Sequence, residues 1–157
     1  MKIVAKNKYM NLAIKEAQIG ILNNDGGPFG SVIVKDGEII ASAHNMVLAN
    51  NDSTAHGEIE AIRKAEKKLQ TYSLEGCELY TTGEPCQMCL AACLWANIKH
   101  VYYGCTINDN DYIKFRDKKF DDLMGNRHKL KDYLTQIDRV ACFLLFKEYL
   151  KLNPKNY

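Results

Sequence analysis

Apolar positions recur along this chain with two different periods, and the switching between them sets out its elements. Met10, Ala13, Ile14, Ala17 and Ile21 repeat with the helical period and predict an amphipathic first helix. It stops at the breaker cluster Asn23-Asn24-Asp25-Gly26-Gly27-Pro28. Two short apolar runs follow, 29–34 and 39–43, with Asp36-Gly37 between them as a hairpin signal. A polar loop over 45–53 leads to a second helix, whose inward stripe is Glu58, Ala61, Ile62, Ala65 and Leu69. Residues 77–82 predict a strand feeding a third helix that opens at Pro85, since proline suits the first helical position. On that helix Cys86, Cys89, Leu90, Cys93, Leu94 and Asn97 share one stripe, which is expected to face inward.

Residues 99–104 predict a further strand. Beyond it the pattern weakens. Asn108-Asp109-Asn110-Asp111 reads as a turn, 114–119 as a charged stretch, and 121–132 as a short helix and loop. Residues 133–137 predict a final edge strand, and Cys142, Leu145, Phe146 and Tyr149 a terminal helix ahead of a short basic tail. Helix and strand alternate through the middle of the chain, which calls for crossover connections and a partly parallel sheet covered on both faces. The early hairpin makes that sheet mixed. The second and third helices each follow a loop or a strand end, so their N-termini fall along one edge, where α/β sheets build sites.

Composition changes the picture little. A chain of 157 residues forms one domain, 1–157, with room for a core. Its 46% hydrophobic and 25% charged content is that of a soluble globular protein. A net charge of +2 with no dense basic stripe gives no sign of an extended nucleic-acid surface. No apolar run reaches membrane length, and the first residues show no signal-peptide core. A cytoplasmic protein is expected, in which six cysteines are reduced thiols and metal ligands, not a disulfide framework.

The chemistry concentrates at the two helix starts. Cys86 and Cys89 stand one turn apart where the helix dipole favours thiolates, which suits a tetrahedral soft-metal site such as zinc. Alone, Cys-x-x-Cys reads equally as a redox pair. Upstream, His56 precedes the second helix and Glu58 heads its inward stripe, where an ionised carboxylate is costly unless used. Singly, these two read as a capping or core histidine and a helix-start carboxylate. Together, His-x-Glu followed by Pro-Cys-x-x-Cys is the signature of the zinc-dependent base deaminases. His56, Cys86 and Cys89 as zinc ligands leave a fourth position open, which marks a catalytic rather than a structural site. Glu58, holding no metal, is the proton shuttle. A closed structural zinc module is the rival, with Cys93 as fourth ligand. Cys86 to Cys93, however, spans two turns and about 10 Å of rise, too long for one ion.

On these motifs the chain resembles the cytidine deaminase superfamily, and within it the small base deaminases. Gly26-Gly27-Pro28-Phe29-Gly30, Val34-Lys35-Asp36-Gly37, Asn51-Asp52 through Glu58, and Ala61-Ile62-Arg63-Lys64-Ala65 are similar to bacterial guanine deaminases. The resemblance implies a three-layer α/β/α sandwich with a five-stranded mixed sheet, and one zinc per chain. It also implies a homodimer with possible C-terminal exchange. It assigns Phe29 to packing on the base, Asn45 to contacting it, Asp117 to recognising guanine, and Tyr157 to reaching the partner subunit's site. Phe120-Asp121-Asp122 offers a second alignment for the recognising carboxylate. His44-Asn45-Met46, His56-Gly57-Glu58 and Leu79-Tyr80-Thr81-Thr82 are more similar to fungal-type cytosine deaminases. Guanine is therefore the first expected substrate, free cytosine the second, and adenosine in tRNA the third.

Overall fold

The computed structural model describes residues 3–125 and the single positions 133, 136, 139, 140, 143 and 144. Internal contacts divide the chain into Met1–Asp122 and Leu123–Tyr157. The first unit holds the sheet and the site. In the second, the described residues include Arg139, whose guanidinium lies 5.3 Å from the centre of the Phe143 ring. The predicted terminal helix falls on residues outside the description, except for scattered helical positions.

Helix α1, Lys8–Leu22, starts where the Asn7 side chain accepts from the Tyr9 and Met10 amides. It stops where Asn24 turns left-handed, with φ of 58°. Strands β1, Gly30–Lys35, and β2, Glu38–His44, form the expected hairpin. Asp36 and Gly37 both have positive φ (49° and 80°), the mark of a type I′ turn. The loop expected over 45–53 contains a short helix, α2, Val47–Asn50. Its start is held by Asn45 Oδ1 accepting from the Val47 amide at 3.1 Å, a local bond that apolar periodicity does not register. Helix α3, Gly57–Leu69, and strand β3, Cys77–Gly83, lie as the pattern predicts.

Helix α4 departs from expectation in two ways. It spans Gln87–Trp95 with Cys86 as its N-cap, so Pro85 precedes the cap and is not the first helical residue. Its buried face is Cys89 and Cys93, whereas Leu90 and Leu94 are exposed. Gln87-Met88-Cys89-Leu90-Ala91-Ala92-Cys93-Leu94-Trp95 is apolar nearly all round, so periodicity could not fix which side turns in. The helix closes in a Schellman bond, the Ile98 amide to the Cys93 carbonyl at 3.0 Å, with Asn97 left-handed. After β4, His100–Cys105, the expected turn is helix α5, Ile107–Tyr112. A reciprocal capping box between Thr106 and Asp109 stabilises its start. Helix α6, Asp117–Met124, begins inside the stretch read only as charged.

The sheet order is β2-β1-β3-β4, with β3 and β4 parallel and the other pairs antiparallel. The sheet is mixed, as expected. It has four strands among the described residues, not the five that the resemblance implied. The fifth was expected over 133–137, where Tyr133 lies in a turn, Gln136 in no regular element, and the rest lie outside the description.

Central strand β1 is buried on both sides. Val32 and Val34 pack with Ala13 of α1 and Tyr80. Ile33 packs on the other face with Ala61, Ile62, Leu79 and Cys93, so α3 and α4 make the second helical layer. Gly30 allows α1 to lie close, since a Cβ there would stand 2.0 Å from the Ala13 carbonyl oxygen. On outermost strand β2, the Ser42 and Ile39 carbonyls accept from Lys64 Nζ and Lys68 Nζ, at 3.1 and 3.4 Å. Among the described residues, no helix is long and apolar enough to cross a membrane.

Candidate active site

Two helix starts meet beyond the strand ends. His56 is the N-cap of α3 and Cys86 the N-cap of α4, which aims both side chains out of the helices and toward one another. His56 Nδ1 lies 3.6 Å from Cys86 Sγ and 3.4 Å from Cys89 Sγ. Tetrahedral zinc with Zn–N near 2.1 Å and Zn–S near 2.3 Å sets N and S roughly 3.5 Å apart. The three donors therefore fit one tetrahedral ion, and their ligand atoms lie within 4.8 Å of one another. Cys93 does not join this group. Burial pushes its thiol up to about 12, as for an inert core cysteine. The closed four-ligand rival gains no support from this geometry.

The electrostatics suit the donor set. A hydrogen bond from Cys89 brings the Cys86 thiol down to about 4, with His56 contributing in the same direction. Cys89 is pushed far up, first by holding that proton against Cys86 and then by burial. Cys86 in turn raises His56. Binding a metal takes both sulfurs as thiolates and the imidazole neutral, so loading expels the proton the two cysteines share.

Glu58 stands one helical step inside α3 and is 5% exposed. Burial raises its carboxyl above the usual range. Its Oε1 accepts from the Thr81 hydroxyl at 3.4 Å, and Thr81 accepts from the Ser31 hydroxyl at 3.0 Å. Thr81 and Ser31 are fully buried, so the carboxylate rests on a dry hydroxyl pair from β3 and β1.

These groups open into a small cleft. Phe29, Asn45 and Asp117 line it together with His56, Glu58 and Cys86. The Asn45 amide donates to the Phe29 carbonyl at 2.9 Å, which ties the two residues together. Gly26 closes against the Asn45 side chain so tightly that a Cβ would stand 2.0 Å from Oδ1. Next to Asn45, His44 is held between Glu16 and Asp25, each ring nitrogen 3.0 Å from a carboxylate oxygen. Asp121, the other candidate for the recognising carboxylate, instead accepts from the Gln87 side chain. Tyr157 lies outside the described residues.

Three lining residues escape the sequence reading: Glu84, Asn110 and Phe115. Glu84 Oε2 accepts from the Ile107 amide at 2.9 Å, fastening α5 to the end of β3. Phe115 meets Phe29 edge to face, with ring centres 4.9 Å apart. A signal for this segment was present, because Thr106-x-x-Asp109 has the spacing of a capping box.

Comparison with known proteins agrees with the site. Residues 4–105 match the family described as the cytidine and deoxycytidylate deaminase zinc-binding region. The chain is 49% identical over 109 residues to the guanine deaminase of Bacillus subtilis, covering 69% of this chain and 70% of that one. The crystal structure of B. subtilis guanine deaminase superposes with a TM-score of 0.90 at 37% identity, over 98% of this chain and 99% of that one. A tRNA-specific adenosine deaminase of Buchnera aphidicola is 32% identical over 151 residues, 96% of this chain and 97% of its own length. A guanine deaminase structure from Nitrosomonas europaea reaches a TM-score of 0.67 at 30% identity, over 73% of this chain and 66% of that one.

Proposed function

Because the chain belongs to the cytidine and deoxycytidylate deaminase family, we propose that it hydrolyses free guanine to xanthine and ammonia. The observation that carries this choice within the family is Asp117, whose carboxylate lines the same cleft as Glu58, His56, Phe29 and Asn45. An ionised carboxylate only accepts hydrogen bonds. It therefore matches the ring N1–H and amine of guanine, whereas adenine offers a lone pair at the corresponding ring nitrogen. Phe29 supplies a stacking face, and the Asn45 amide supplies an NH2 donor, its Oδ1 being held by the Val47 amide. A small cleft with a few convergent polar groups suits a free base.

When bound by His56, Cys86 and Cys89, zinc supplies a hydroxide nucleophile at neutral pH by bringing the pKa of water to about 7. The chain's own residues do the rest. Phe29 and Asn45 hold the base, and Asp117 orients its donor edge. Glu58 carries one water proton to the ring nitrogen and the second, from the added hydroxyl, to the amine as its C–N bond breaks, so that water and guanine leave as ammonia and xanthine. The raised carboxyl of Glu58 suits a group that must both accept and release a proton. The functional unit in this reading is a homodimer, each tail carrying Tyr157 to the neighbouring site.

Ammonia release from guanine, cytosine and adenosine-containing tRNA anticodon stem-loops, with Asp117→Ala alongside, tests the assignment. Guanine should give the highest kcat/KM, and Asp117→Ala should lower it. A preference for cytosine or tRNA, or an unaffected Asp117→Ala, overturns it.

A further inference from the structure

Asn110 sits on α5, 2% exposed, and turns a polar side chain into the cleft. Its Nδ2 donates to Asp117 Oδ2 at 2.9 Å. Its Oδ1 faces Gly83 at the end of β3, where a Cβ would lie 3.4 Å away. The residue is thus wedged between the strand end that leads into the zinc loop and the carboxylate on α6. Its backbone is fixed as well, since its amide donates to the Thr106 carbonyl and its carbonyl accepts from the Phe115 amide, both at 3.1 Å.

We propose that Asn110 is the specificity-positioning residue of the site: through one amide bond it orients Asp117 so that the carboxylate selects a purine carrying N–H at ring position 1. This rests on the guanine reading above. One lone pair of Oδ2 is occupied by Asn110, so the carboxylate cannot swing freely and its remaining acceptors face a fixed direction. A base with N1–H and an adjacent amine satisfies them. 2-Aminopurine carries the same amine but a lone pair at ring position 1, so it sets acceptor against acceptor. The bond thus acts on the choice between these two bases, not on the chemical step.

The test is the ratio of kcat/KM for guanine to that for 2-aminopurine, measured on the zinc-loaded full chain. The parent is expected to favour guanine. Asn110→Ala should lower the ratio about tenfold or more, the effect of one hydrogen bond to a charged group, with zinc content unchanged. Asn110→Leu, close to the native volume, removes the amide donor without adding a charge, and should lower the ratio as well. A purely structural role would depress both substrates in parallel and leave the ratio alone. An unchanged ratio in either folded variant overturns the assignment while leaving the guanine reading intact. A parent that releases no ammonia from guanine overturns that reading, and this assignment with it.

Discussion

At the scale of single residues, the metal donors and the buried Glu58 carboxylate carry separate predictions. Cys86→Ala should lose zinc, whereas Cys93→Ser should keep it, as metal analysis of the purified variants will show. Because zinc must displace the proton shared by Cys86 and Cys89, its affinity should fall as pH falls, with at least one proton released on binding. Competition with a chelating dye across pH reads that slope, and a flat profile would contradict the shared proton. Glu58→Gln should stay folded and zinc-loaded yet lose roughly 10²–10⁴-fold in turnover. Thr81→Val removes the hydroxyl that Glu58 rests on. It should lower kcat while sparing KM, and Thr81→Ser should restore it. That His56, Glu58, Cys86 and Cys89 come together was legible in the sequence because metal and proton chemistry allow few residue types at few spacings. Asn110 was not, because its role comes from a bond to Asp117 that only the fold brings within 2.9 Å.

At the scale of elements, the close seat of α1 on β1 depends on Gly30. Gly30→Ala would drive a Cβ into the Ala13 carbonyl and the Ala17 nitrogen, backbone atoms that cannot rotate away. The variant should be destabilised by about 1–3 kcal/mol or more, visible as a lower midpoint in urea unfolding, and near-parent stability would show that α1 can shift at little cost. Elements with strong patterning were readable: α1, α3 and the β1–β2 hairpin carry regular stripes or a two-residue turn. Those set by local side-chain bonds were not. Helix α2 starts on the Asn45 side chain and α5 on the Thr106–Asp109 box, and short polar helices of this kind look like turns to any test of apolar period. The orientation of α4 was hidden for the opposite reason, since a helix apolar on nearly every side gives no preferred face.

At the scale of the whole molecule, alternation of helix and strand implied a partly parallel sheet between helical layers and the early hairpin made it mixed, as the strand pairing shows. Of the five strands that the resemblance implied, the described residues hold four, and the fifth was expected over 133–137, most of which lie outside them. The homodimer reading makes one prediction here. Deleting Asn156-Tyr157 should reduce kcat/KM without lowering the unfolding midpoint, and an unchanged catalytic efficiency would remove Tyr157 from the site.

The lysines on α3 bear on how copies of this chain can meet. Strand β2 is one border of the sheet, and carbonyls of Ser42 and Ile39 on it are already answered by the ammonium groups of Lys64 and Lys68. An extended segment from another molecule, seeking acceptors along that margin, would find them taken and would have to bring its own backbone against two positive charges. Accretion strand upon strand is thereby discouraged at that margin.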